Sequence, residues 1–399
     1  MRIARRIDDL GTETAFAVAQ AAAGWKARGN RVFPFHLGDI DLPTAPHIIE
    51  AMNAAIADGR TGYCPGPGIP ELREALAAEI GGQRGMELGA DNIVVTTGGK
   101  PVITKFLQTV MNPGEGVLYP NPGFPIYESQ IEYLGGTPLP YRYVPTPQGF
   151  AIDLDHLRSL ITPQTTALIY NDLQNPISAE STAAEREAVA QIAQEHDLWV
   201  LSDEAYFDMR YSGSSTSIAS LPGMQERTVI LYTFSKKYAM TGSRLGCAVA
   251  PAQIAPIIGT LNTNDESCTT HFVQWAGIAA LTGTQEPVRA MLEEFRTRRD
   301  AVCDLVNRTP GMSVAVPEST FYVFPDVTDA VRRVGAADVG DFAQKALHAT
   351  GVSFCTREHF GSRQPGEDRD YIRLAYSGIG LADIEEGLER LRDWVSSAG

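Results

Sequence analysis

The chain has 399 residues, 44% of them hydrophobic, which is enough for more than one substantial core. A net charge of −15 and an isoelectric point near 5.0 exclude nucleic acid and anionic membrane surfaces as natural partners. Five scattered cysteines without a C-x-x-C spacing exclude a disulfide framework or a thiolate metal site, and no apolar stretch approaches the length of a membrane span. Arg2, Arg5 and Arg6 are not followed by an apolar segment, so no signal peptide is expected and the reading is of a cytoplasmic protein with no metal.

Phe16, Val18, Ala19, Ala22 and Ala23 form an apolar series that Gly29-Asn30 stops, which predicts an N-terminal arm and a helix within residues 1–30. A short strand and turn follow over Val32 to Asp39. Pro46 at a helix start, then Ile48, Ile49, Met52, Ala55 and Ile56, predicts an amphipathic helix ending at Gly59. From residue 93 apolar strands (93–95, 116–119, 167–170, 198–201 and 228–232) alternate with helical patterns (102–111 and 183–196). Strands of that kind separated by helices imply a largely parallel sheet covered on both faces. Ligands of such sheets bind beyond the carboxyl ends of the strands, where polar motifs recur in this chain. Beyond Pro287 a long helical pattern leads into a second domain, and Tyr371 to Ser377 alternates as a strand.

The strand ends carry the chemistry. Thr96-Thr97-Gly98-Gly99-Lys100 opens a helix, and glycines there expose N–H groups at a positive dipole end, a seat for phosphate. Pro101 after the lysine excludes a Walker A loop. Asp203 closes the run Leu198-Trp199-Val200-Leu201-Ser202, and a carboxylate at the end of a buried strand is costly unless it meets a cation. Arg373 lies among apolar neighbours and needs an anion; its fork matches a carboxylate bidentately, with an internal ion pair as the alternative. Residues 229–232 run into Thr233, Ser235, Lys236, Lys237 and Arg244, resembling the mouth of an anion pocket. A lysine held there can lose its proton and attack a carbonyl.

Residues 233–246, Thr-Phe-Ser-Lys-Lys-Tyr-Ala-Met-Thr-Gly-Ser-Arg-Leu-Gly, resemble the lysine motif of fold-type I pyridoxal-phosphate enzymes. The likeness is strongest to the class I/II (aspartate aminotransferase-like) aminotransferases, S-x-S-K-x-x-x-M-T-G-x-R-x-G, with only the first serine changed, to Thr233. The register to Met240-Thr241-Gly242 selects Lys236 over Lys237 as the Schiff-base lysine. The resemblance implies an α/β protein of the PLP-transferase fold type I. Its mostly parallel seven-stranded sheet, sandwiched by helices, would lie in a large PLP-binding domain over 46–286. Residues 1–45 would form an arm and part of a smaller α+β domain, completed by 287–399.

The resemblance also assigns roles to residues. Gly99 and Lys100 would contact the phosphate of pyridoxal 5'-phosphate through the backbone, with Thr233, Ser235 and Arg244 also binding the cofactor. Phe124 would stack on the pyridine ring, Asp203 would meet its nitrogen, and Asn175 and Tyr206 would bond its O3′ oxygen. Gly38, Asn175 and Arg373 would receive the substrate carboxylate. Tyr63 would reach the phosphate of the neighbouring subunit, which implies a homodimer with shared active sites. The chain departs from the family pattern at Ile40, Pro101, Leu173, Ile177-Ser178, Cys268-Thr269 and Ser319, the last expected near the substrate side chain. The implied reaction is transamination of an L-amino acid to its 2-oxo acid. Elimination or replacement, cyclisation and oxidation use the same residues and stay open, and the sequence does not specify the amino acid.

Overall fold

The computed structural model describes residues 2–398. Its centre is an eight-stranded sheet in the order Ile93–Thr96, Gly246–Val249, Thr228–Thr233, Trp199–Asp203, Thr165–Asn171, Gly116–Asn121, Thr137–Thr146, Gly149–Ile152. From Thr228–Thr233 to Thr137–Thr146 all neighbours are parallel, while Gly246–Val249 runs antiparallel to both of its partners. The strand beyond the expected seven is Gly149–Ile152, the return arm of a hairpin that pairs Tyr143 with Ile152 and Thr146 with Gly149.

Every residue of Thr228–Thr233 is buried, because successive side chains point to opposite faces and both faces are covered. Val229 and Leu231 join Val102 and Phe106 of the helix Lys100–Val110 on one face. Ile230 and Tyr232 join Leu72 of the helix Pro70–Arg84 and Ala276 of the helix His271–Thr282 on the other. Farther along the sheet, Leu168, Tyr170 and Val200 pack on Val189 and Ile192 of the helix Ala183–Glu195. Each such aliphatic side chain stabilises the fold by about 1.5–3 kcal/mol. Parallel strands deliver their carboxyl ends to one edge, so Asn171 pairs with Asp203, and Asp203 with Leu231 just before Thr233.

A second core is built around the helices Glu286–Arg308, Val339–Thr350 and Leu381–Ser397, with Phe295, Phe342, Leu388 and Leu391 buried among them. Phe33 and Phe35 belong to this core although they precede the sheet, because Phe33–Pro34 pairs in parallel with Val352–Ser353. A small antiparallel sheet, Tyr322–Val323, Ile372–Ala375 and Cys355–Thr356, sets Arg373 opposite Cys355. The helix Ala15–Ala27 forms as expected, but only Ala22 on it is buried; Phe16 is exposed. Among the described residues no helix is long and apolar enough to cross a membrane.

Candidate active site

A cavity of about 580 Å³ opens at the carboxyl edge of the sheet, closed on its other side by the second core. Gly38, Gly99, Lys100, Phe124, Asn175, Asp203, Tyr206, Thr233, Ser235, Lys236, Arg244 and Arg373 all line it. Among the described residues expected to bind the cofactor or the substrate carboxylate, Tyr63 is the one that lies elsewhere, 89% exposed beyond the helix Pro46–Ala57.

The two adjacent lysines are separated by the short helix Phe234–Lys237, in which neighbours point about 100° apart. Lys236 turns into the cavity, where its Nζ donates to the Gly38 carbonyl at 2.7 Å. Burial pulls its pKa down to about 8. Lys237 turns away to Glu79 (2.9 Å) and Asp208 (3.3 Å), and these carboxylates hold it above its ordinary value although burial works against its charge.

Asp203 is 6% exposed, and burial pushes its carboxyl up to about 6. The Tyr127 hydroxyl donates to Oδ2 at 2.5 Å and the Ala205 N–H to Oδ1 at 3.2 Å, both opposing that rise. Among the described residues no basic side chain forms an ion pair with it. The Asn171 amide fixes the backbone there by donating to the Asp203 carbonyl at 2.9 Å.

Arg373 donates to the Asn175 Oδ1 at 3.1 Å and to the His36 carbonyl at 2.6 Å. Its guanidinium lies over the rings of Tyr322 and Phe360, 4.7 Å from each centroid. Its buried Nε has no acceptor among the described residues. The Tyr206 and Tyr322 hydroxyls lie 2.7 Å apart. A Cβ on Gly38 would collide with the Tyr322 hydroxyl, so the glycine permits that approach.

The anion seat forms at the start of Lys100–Val110, where Pro101 occupies the first turn and offers no N–H. Thr233 caps the Lys236 helix by accepting from the Ser235 N–H at 3.2 Å. Arg244 donates to the Thr241 carbonyl at 2.8 Å and lies over Gly98, whose φ of +86° and missing side chain make room for the guanidinium.

These groups fit pyridoxal 5'-phosphate. The helix start, Ser235 and Arg244 suit its phosphate, the cation-free Asp203 suits a protonated ring nitrogen, and Lys236 suits its aldehyde. Tyr127, Tyr322, His359 and Glu13 also line the cavity and were not singled out from the sequence. A buried tyrosine needs a hydrogen-bond partner, so Tyr127, three residues after Phe124, carried a signal. Glu13, in a polar arm, carried none.

The departures from the family pattern are absorbed locally. Leu173 and Ser178 adopt positive φ near 52°, and Ser178 Oγ donates to the Tyr322 carbonyl at 2.8 Å, tying the Asn175 loop to the small sheet. Ile177 is buried beside Phe324 and Phe360. Contrary to expectation, Ser319 does not line the cavity: it is 1% exposed and pairs with Arg210 through the backbone. Cys268 is half-buried and also outside it.

The family model "Aminotransferase class I and II" matches residues 30–391. The aspartate aminotransferase of Geobacillus stearothermophilus is 30% identical over 399 residues, covering 100% of both chains. That of Bacillus subtilis is 31% identical over 99% of both. Among solved structures, a double mutant of the Thermus thermophilus aspartate aminotransferase superposes with a TM-score of 0.90 at 30% identity, covering 99% of this chain and 100% of its own. The alanine aminotransferase from Pyrococcus furiosus superposes with a TM-score of 0.91 at 26% identity and the same coverage. The chain belongs to the class I and II aminotransferases: it is a pyridoxal 5'-phosphate-dependent enzyme that catalyses transamination.

Proposed function

We propose that the cavity transaminates an L-amino acid whose α-carboxylate is held by Arg373 with Asn175 and Gly38, and whose Cα proton is moved by Lys236. The observation that carries this reading is that Lys236, with its lowered pKa, faces the same cavity as the cation-free Asp203 and as Arg373, which lies over the Tyr322 and Phe360 rings. Pyridoxal 5'-phosphate, when bound, supplies an electrophilic carbon and an electron-withdrawing ring. Asp203 keeps a proton on the ring nitrogen, and Tyr127 orients that carboxylate. Asn175 and Tyr206 would bond O3′, while Gly99 and Lys100 through their backbone, with Thr233, Ser235 and Arg244, would hold the phosphate end and Phe124 would stack on the ring. Arg373 fixes the substrate so that its Cα–H is presented to the Lys236 amine. A lysine whose pKa lies near 8 is substantially neutral at mildly alkaline pH and serves as a general base.

The two cores support division into a large domain over 46–286 and a small one formed by 1–45 and 287–399. The exposed Tyr63 supports a homodimer in which it enters the neighbouring site, and the five free cysteines suit a cytoplasmic location. The relatives' names span aspartate and alanine, so family membership leaves the side-chain class open. The test is to incubate the holoenzyme with a panel of ¹⁵N-labelled amino acids and one 2-oxo acid. The reading predicts label in a new amino acid and one 2-oxo acid per donor; products lacking a side-chain group would overturn it.

A further inference from the structure

Among the described residues, four cationic side chains line the cavity: Lys100, Lys236, Arg244 and Arg373. Resting on the reading above, Lys236 reacts, Arg244 faces the phosphate and Arg373 holds the α-carboxylate, which leaves Lys100 for any second acidic group. Lys100 is already engaged. The N-terminal arm crosses the cavity mouth, fastened by the Gly11 carbonyl, which accepts from Ser129 Oγ at 2.9 Å, and by Arg6 over the Tyr133 ring at 5.4 Å. It sets the Glu13 carboxylate on the Lys100 ammonium, which also lies 5.6 Å from the Phe124 ring centroid. Glu13 lines the cavity itself, and its negative charge is felt at Lys236 and at Tyr322. Phe16, Ile103 and Phe360 line the same cavity, and Phe124 is the aromatic ring nearest the Lys100 ammonium.

We propose that Glu13 is a specificity residue: by occupying Lys100 it leaves, among the described residues of this chain, no free cation in the cavity for a second carboxylate, which favours an amino acid with an uncharged side chain. A dicarboxylic substrate would have to displace Glu13 from Lys100 and lie beside its charge. An uncharged side chain meets a neutral ion pair and the Phe124 ring.

The experiment is calorimetric titration of the holoenzyme with two non-reacting probes, glutarate and 3-phenylpropionate. The wild type should bind 3-phenylpropionate at least about tenfold more tightly than glutarate. Glu13→Gln should tighten glutarate about tenfold by freeing Lys100, and the double variant Glu13→Gln/Lys100→Met should lose that gain. Equal binding of the two probes by the wild type, or an unchanged preference in Glu13→Gln, overturns the proposal alone. Unchanged affinity of both probes in Arg373→Ala overturns the carboxylate-binding reading beneath it.

Discussion

Replacing Lys236 with methionine should stabilise the cofactor-free protein. The ordinary lysine value is 10.5 and burial lowers that of Lys236 to about 8, a gap that corresponds to a cost of about 3 kcal/mol for holding the ammonium in the fold. Lys236 lines a cavity that admits water, and that screening reduces the cost to about 1–2 kcal/mol. The Gly38 carbonyl, released from its 2.7 Å bond, is half-buried and turns to cavity water. For a chain of this length the gain is a rise of about 2 °C in the thermal midpoint at pH 7. The sign with pH follows from the lowered value. Below about 8 both folded and unfolded lysines carry the proton, and the full cost is present. As pH rises from about 8 to 10.5 the folded amine is neutral while the unfolded one is still charged, so the wild type regains stability and the variant's advantage shrinks toward zero. Thermal melts of both cofactor-free proteins between pH 7 and 10.5 measure this. A variant less stable at pH 7, or an advantage constant across the range, refutes the reasoning.

Arg373→Ala removes two charge-assisted hydrogen bonds, about 3–4 kcal/mol, and should raise KM for the amino acid by about 10²–10³ with a much smaller effect on kcat; steady-state kinetics with an unchanged KM would remove it from the site. Tyr127→Phe deletes the hydroxyl that holds the Asp203 carboxyl down against burial, so the acidic limb of the pH–rate profile should move up, by about one pH unit; a downward shift would contradict that assignment. Arg84 and Glu204 form a fully enclosed pair at 2.6 Å, one residue from Asp203, with Ser202 also donating to Glu204 at 2.9 Å. Arg84→Met leaves that carboxylate buried without its cation and should cost about 3–5 kcal/mol in scanning calorimetry; an unchanged midpoint would show that the pair carries no such weight.

The parts of this site legible in the sequence are those fixed by strand periodicity. Asn171, Asp203 and Thr233 end buried apolar runs, and once those runs are parallel neighbours their ends must meet. The choice of Lys236 over Lys237 rested on motif register, and the turn of one short helix separates them physically. The hairpin over 137–152 is not legible, because Pro138, Pro140 and Pro145 within Thr137–Thr146 argue against a strand; among the described residues, 137–142 pair only with Gly116–Asn121 and 143–146 only with Gly149–Ile152, so each half has an unpaired side that tolerates residues that cannot donate. Tyr322 and Glu13 come from elements far apart in the chain, and nothing local announces that a hydroxyl will meet Tyr206 or that a carboxylate will reach Lys100. Ser319 shows the opposite case: a motif position suggests the cavity, and the residue lies outside its lining, bridged to Arg210 through the backbone.

The central claim is that Lys236 moves the Cα proton. Exchange of the substrate Cα hydrogen for deuterium in D₂O, followed by NMR in holoenzyme samples, reports that step without requiring a complete turnover. The account predicts exchange in the wild type and in Lys237→Ala, and its loss in Lys236→Ala. Exchange at the wild-type rate in Lys236→Ala, or its loss in Lys237→Ala with Lys236 intact, would contradict it.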